Sequence, residues 1–134
     1  MRHRNAVLFA LAAIAGLPLA ANPQTQPALY TAQQAESGEA LFAGKCAQCH
    51  GDRFRAGPPL TGSRVTVGAI FQHATRHMPM QNALALTDDQ YVRIMAAILE
   101  QNGFPAGSTP LTYATAFRST VPFPVAAPPS VPRR

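Results

Sequence analysis

Residues 46–50 read Cys46-Ala47-Gln48-Cys49-His50, two thiols three positions apart with an imidazole directly after the second. These are the only two cysteines in the chain. Their separation is too short for a disulfide that staples distant segments, so both thiols point to one local use. Cys-x-x-Cys-His is the spacing of c-type haem attachment: the thiols add to vinyl groups on neighbouring pyrroles, and the following imidazole sits under the iron. Two other uses account for less of the surrounding sequence. A thiol redox pair follows a strand in a βαβ setting, whereas a helical pattern precedes Cys46. A zinc site needs further ligands; His73 and His77, spaced i and i+4, are available, but no second cysteine pair accompanies them.

Upstream, Ala35, Gly38, Leu41, Phe42 and Cys46 fall on or near one face at 3.6-residue spacing, which predicts a helix over Gln33 to Cys49. Residues 22–31 are polar and contain Pro23 and Pro27, and read as a linker. Residues 1–21 read as a signal peptide. Arg2, His3 and Arg4 form a positive start, Ala6 to Leu17 an apolar run, and Ala20 and Ala21 supply small residues for cleavage. Gly16 and Pro18 interrupt that run, which falls short of the roughly 20 residues of a spanning helix. The expectation is therefore export to the periplasm, with no stable membrane insertion once the leader is removed. Haem ligation to reduced thiols outside the cytoplasm demands the same compartment.

Downstream, Gly51 to Ser63 is rich in Gly and Pro and reads as loop. Val65 to Arg76 reads as a short helix around Val67, Ile70, Phe71 and Ala74. His77 to Ala85 is expected to be irregular, because Pro79 disfavours a helical Met78 and lacks an amide donor. Thr87-Asp88-Asp89-Gln90 fits a capping box. Tyr91, Ile94, Met95, Ile98 and Leu99 then form a helical stripe, which Asn102-Gly103 closes. Residues 113–134, with five prolines from Pro122 to Pro132, read as an extended tail. The expected architecture is all-α: a domain over 32–112 in which about three main helices wrap one covalently bound haem, the disc completing a core too small to stand alone.

The formal net charge of +5 is less basic than it looks. Arg2, Arg4, Arg133 and Arg134 lie at the ends, Lys45 is the only lysine, and the other arginines are dispersed. No clustered basic face of the kind that grips nucleic acid is present, so that class of partner is excluded.

The second axial position of the iron has several candidates. Met78-Pro79-Met80 offers two thioethers in an irregular segment, whereas Met95 lies on the stripe of the last helix and reads as core. His73 or His77 would give a bis-imidazole iron of lower potential. A neutral thioether opposite His50 would raise the potential and close the site.

The chain resembles class I cytochromes c, and more closely the small bacterial monohaem cytochromes associated with quinoprotein dehydrogenases. The resemblance spans about Gln33 to Leu111. It rests on Gly38-Glu39-Ala40-Leu41-Phe42, Cys46 to Gly51, Gly57-Pro58-Pro59-Leu60, Val67-Gly68-Ala69-Ile70-Phe71 and Met78-Pro79, and on Leu86 to Tyr91 with the stretch Asn102 to Gly107. It implies the cytochrome c fold and ranks Met78, directly before a proline, over Met80. It further implies that the Pro58 carbonyl accepts a hydrogen bond from Nδ1 of His50, that Leu60 packs on the haem face, and that Arg64 is a candidate partner for a propionate. Two departures stand out. Ala97 occupies the position where the family carries an aromatic against the glycine of the first helix, and the stretch after Leu60 lacks a frequent Trp.

These features imply a single-haem electron carrier cycling between Fe(II) and Fe(III). A quinoprotein dehydrogenase, a quinol-oxidising complex or a terminal oxidase would serve as redox partner, with the chain a monomer or a subunit of a complex. The alternative is a haem enzyme or sensor with an open or labile sixth position. No general base or nucleophile beside the motif suggests catalysis.

Overall fold

Four threonines begin helices. In the computed structural model, which describes residues 26–54, 65–82 and 85–124, Thr31, Thr66, Thr87 and Thr112 are the N-caps of α1 (Ala32–Lys45), α3 (Val67–His77), α4 (Asp88–Gln101) and α5 (Tyr113–Phe117). Each hydroxyl accepts a backbone amide three residues on, from Gln34, Ala69, Gln90 and Thr115 respectively. Such a cap satisfies one of the orphan donors of a first turn and is worth ~1 kcal/mol. In α1, α4 and α5 the bond is returned by a side chain, completing a capping box. The box expected at Thr87 is present, and the structure adds two more at Thr31 and Thr112. The remaining helix, α2 (Ala47–His50), has no side-chain cap and grows out of a break at Cys46 (φ −122°, ψ −36°). The single helix expected over Gln33 to Cys49 is therefore two, with the haem motif on the second.

The regular structure among the described residues is helical, with isolated bridges at Tyr30–Ala106 and Thr66–Pro122 in place of strands, in keeping with the all-α cytochrome c fold. α1 packs chiefly on α4. Their crossing is at Gly38, where an added Cβ would overlap the Arg93 carbonyl. Two backbones approach too closely there for any side chain to intervene. This resolves the departure at Ala97: no aromatic is needed to fill the crossing, and Ala97 is itself buried. α4 ends in a Schellman turn, with Gly103 at φ 84°. Its amide donates to the Glu100 carbonyl (3.0 Å) and that of Phe104 to the Leu99 carbonyl (3.1 Å).

The C-terminal segment corrects an expectation. Residues 113–124, read as part of an extended tail, contain α5 and enter the core: Ala116 and Phe123 are buried, and the Phe123 ring stacks on Phe104 at 5.9 Å. Proline forbids a regular helix over residues 120–124 but does not prevent an extended strand of chain from docking. The docking is by backbone. The Val67 and Gly68 amides at the start of α3 donate to the Val121 and Ser119 carbonyls (2.9 and 3.0 Å), and the Phe123 amide donates to the Val65 carbonyl (2.8 Å). The segment thereby satisfies amides that the first turn of α3 leaves open. Gly68 is required at this contact, since a Cβ would meet the Ser119 carbonyl oxygen at 2.5 Å.

Side-chain amides hold the other irregular segments. Gln34 grips the Leu111 backbone at both its amide and its carbonyl (2.8 Å each), and Gln72 donates to the Phe117 carbonyl (2.8 Å). No helix among the described residues is long and apolar enough to cross a membrane.

Candidate functional site

α2 carries the motif in a single turn. The Cys49 and His50 amides both donate to the Cys46 carbonyl (3.2 and 3.0 Å), and the Gly51 amide closes the turn on Ala47 (2.8 Å). Gly51 leaves it at φ 71°, a left-handed conformation that suits glycine. The i, i+3 spacing brings the two cysteines to the same side of this turn. Neither thiol is in a disulfide. Cys46 is half-buried, and burial pushes its thiol above the ordinary value, while Cys49 and His50 are exposed.

The turn is anchored through Phe54. Its amide donates to Oε1 of Gln101 (3.0 Å), and its carbonyl accepts from Nδ2 of Asn102 (3.0 Å). Both partners stand at the C-terminal end of α4. The Phe54 ring lies 5.5 Å from the His50 ring and 6.3 Å from that of Phe123. The imidazole is thus backed by an aromatic series running into the core. The sequence gives little sign of these roles for Phe54, Gln101 and Asn102: its only signal is a lone aromatic between the motif and a Gly- and Pro-rich loop.

Met78 follows α3 directly as its C-cap, in extended conformation (φ −118°, ψ 145°). Its carbonyl accepts the Tyr91 hydroxyl at 2.6 Å, which ties the Met78-Pro79 turn to the first turn of α4. Sequence periodicity identifies Tyr91 only as core, and it is indeed buried; the polar role of its hydroxyl leaves no mark on the pattern. Met78, Met80, His73, His77 and Arg76 line one open cavity of about 460 Å³. The structure brings the thioether and imidazole candidates for the sixth position together at the end of α3. Met95 is buried, as a core residue should be. Pro58, Leu60 and Arg64 lie outside the described residues, as do the leader, residues 22–25 of the linker and the chain beyond residue 124.

The donor set fits a covalently held haem. Two free thiols and an imidazole share one turn, and the thioethers lie in a separate irregular segment. Leu41, Ala47, Phe54 and Leu86 pack against the core yet stay partly exposed, apolar surface of the kind that a planar apolar group would cover. Among the described residues, no three His, Cys, Asp or Glu side chains converge to hold a metal ion. The zinc alternative thus finds no cluster among them.

Residues 33–97 match the family model described as cytochrome C oxidase, cbb3-type, subunit III. Among solved structures, the chain is similar to the sulfane dehydrogenase SoxCD from Paracoccus pantotrophus. That likeness is 26% in identity with a TM-score of 0.47, and covers 82% of this chain and 68% of that one. No curated protein matches the sequence. The motif on α2 and the all-helical regular structure agree with that likeness to a c-type cytochrome family over residues 33–97.

Proposed function

We propose that the chain is a periplasmic electron carrier with one haem c, attached through Cys46 and Cys49 and ligated by His50 and Met78. The observation that carries this reading is the fastening of both ligand-bearing turns to α4. Gln101 and Asn102 hold the turn of His50 through Phe54 at one end of that helix. Tyr91 holds Met78 at the other. Two turns secured to one rigid element are preorganised to present an imidazole and a thioether with little movement. When bound, haem c supplies a one-electron Fe(II)/Fe(III) couple. His50 and Met78 would be the chain's two ligands to the iron, with no position left for substrate, and the neutral thioether would favour the reduced state. Met78 is preferred to Met80 because Tyr91 fixes its backbone, whereas Met80 is 80% exposed.

Pro58, Leu60 and Arg64 keep the roles that the family resemblance implies for them: orienting His50, covering the haem face and pairing with a propionate. A quinoprotein dehydrogenase, a quinol-oxidising complex or a terminal oxidase would exchange electrons with the exposed haem edge. The second reading is a labile sixth position, and it draws on His73 and His77 lining the same cavity as Met78.

Spectroscopy separates the two. A pyridine haemochrome spectrum should report two thioether links, and the ferric protein should show the weak red band of methionine ligation. Carbon monoxide should leave the spectrum of the reduced protein unchanged. Ready carbon monoxide binding together with a missing red band would overturn the carrier reading.

A further inference from the structure

The end of α3 gathers donors beyond the His50 and Met78 proposed for the haem. His73 and His77 lie one helical turn apart, and their rings stand side by side, with centroids 4.8 Å apart and planes at 39°. Both are exposed, and among the described residues neither has a hydrogen-bond or ion-pair partner. An i, i+4 pair of imidazoles on one helix face is a ready bidentate chelate. Met80 lines the same cavity and is the large apolar side chain left in water among the described residues. A single exposed methionine needs no explanation by itself; lining the same cavity as two imidazoles, it offers a sulfur donor to their two nitrogens.

The chemistry of that set selects the ion. Imidazole suits zinc, copper and nickel alike, but a thioether is a soft donor and selects monovalent copper. Charge acts in the same direction. Arg76 borders the cavity, its guanidinium carbon 5.7 Å from the centroid of the Phe117 ring on α5. A fixed positive charge at the rim penalises a divalent ion more than a monovalent one.

We propose that His73, His77 and Met80 form a binding site for a Cu(I) ion at the end of α3. The site rests on Met78, not Met80, serving the haem iron. It stands next to the axial turn, so an ion bound there would also add positive charge near the iron.

The test is equilibrium dialysis of the reduced, haem-loaded protein against chelator-buffered Cu(I), with bound copper read by elemental analysis. The wild type should retain one copper per chain. His73→Gln and His77→Gln should each weaken retention by about tenfold or more, since loss of even an outer-shell partner of a metal ligand costs that much. Met80→Leu should weaken it while keeping the red band of methionine ligation. Wild-type protein that retains no copper, or histidine variants that retain as much as wild type, would overturn the site. So would undiminished retention in Met80→Leu. Loss of the red band in Met80→Leu would assign Met80 to the iron and overturn this site together with the choice of Met78. A missing band in every variant and in the wild type, with copper still held by the histidines and Met80, would count against the axial assignment alone.

Discussion

Nδ2 of Asn102 donates to the Phe54 carbonyl at 3.0 Å, joining residues 48 positions apart in sequence. The same nitrogen also reaches the Ile98 carbonyl at 2.7 Å, so one side chain closes the end of α4 and secures the chain leaving the haem motif. With Gln101 on the Phe54 amide, the backbone of a single loop residue has both polar groups satisfied by α4. The orientation of the His50 turn is therefore a property of α4 as much as of α2.

Replacing Asn102 with Ala removes both bonds and leaves two partly buried carbonyls without this donor. Each unmade bond costs about 1 kcal/mol net, so Asn102→Ala should lower the stability of the haem-loaded protein by about 2 kcal/mol. Denaturant titration followed in the haem absorption would measure it. A midpoint equal to that of wild type would show that Phe54 is held by its ring contacts alone.

Gly38 lies where α1 meets α4 backbone to backbone. Gly38→Ala gains about 1 kcal/mol in helix propensity, but the new methyl group would overlap the Arg93 carbonyl. That obstacle is backbone inside a helix and cannot rotate away. Overpacking of this kind costs typically 1–3 kcal/mol and sometimes more, and here the rigid neighbour sets the cost at the upper end. The net expectation is a loss of about 2 kcal/mol, seen as a melting temperature lower by roughly 8–16 °C for a domain of this size.

Much of this was legible in the residues, for identifiable reasons. Thr87 to Gly103 carries start, stripe and stop in local sequence, and α4 follows them closely. The Cys46 to His50 motif is equally local, and the structure gathers it into one turn. Phe123 is different. Its place in the core depends on backbone bonds to Val65 and on ring contacts with Phe54 and Phe104, all far away along the chain, while the prolines around it suggested a tail. Tyr91 and Asn102 illustrate the same limit. Periodicity reports which face of a helix is buried, but not which carbonyl a buried hydroxyl or a terminal amide will find.

Tyr30 supplies a pH dependence. It is 1% exposed, and its hydroxyl donates to the Phe104 carbonyl at 2.6 Å. Burial first, and then the negative charge of Glu100, raise its pKa above the ordinary value of 10.0. Above that value the unfolded chain releases a proton that the folded chain still holds. Stability is therefore complete below pH 10.0 and falls as pH climbs toward the raised value. Tyr30→Phe should remove this contribution to the alkaline slope while costing about 1 kcal/mol at neutral pH through the lost hydrogen bond. Denaturant midpoints measured across that range would check both effects, and an unchanged slope would place the alkaline titration elsewhere.

Tyr91→Phe isolates the fastening of Met78. The substitution keeps the buried ring and deletes the hydroxyl that holds the Met78 carbonyl, so the fold should survive. A net bond of about 0.5–1.5 kcal/mol corresponds to a twofold to tenfold shift in the equilibrium between attached and detached Met78. The variant should therefore show a weaker red band in the ferric state, a lower reduction potential and measurable carbon monoxide binding when reduced. Met80→Ala should leave all three at wild-type values. If Tyr91→Phe leaves them unchanged while Met80→Ala alters them, the ligand is Met80, and Tyr91 steadies a turn with no part in ligation.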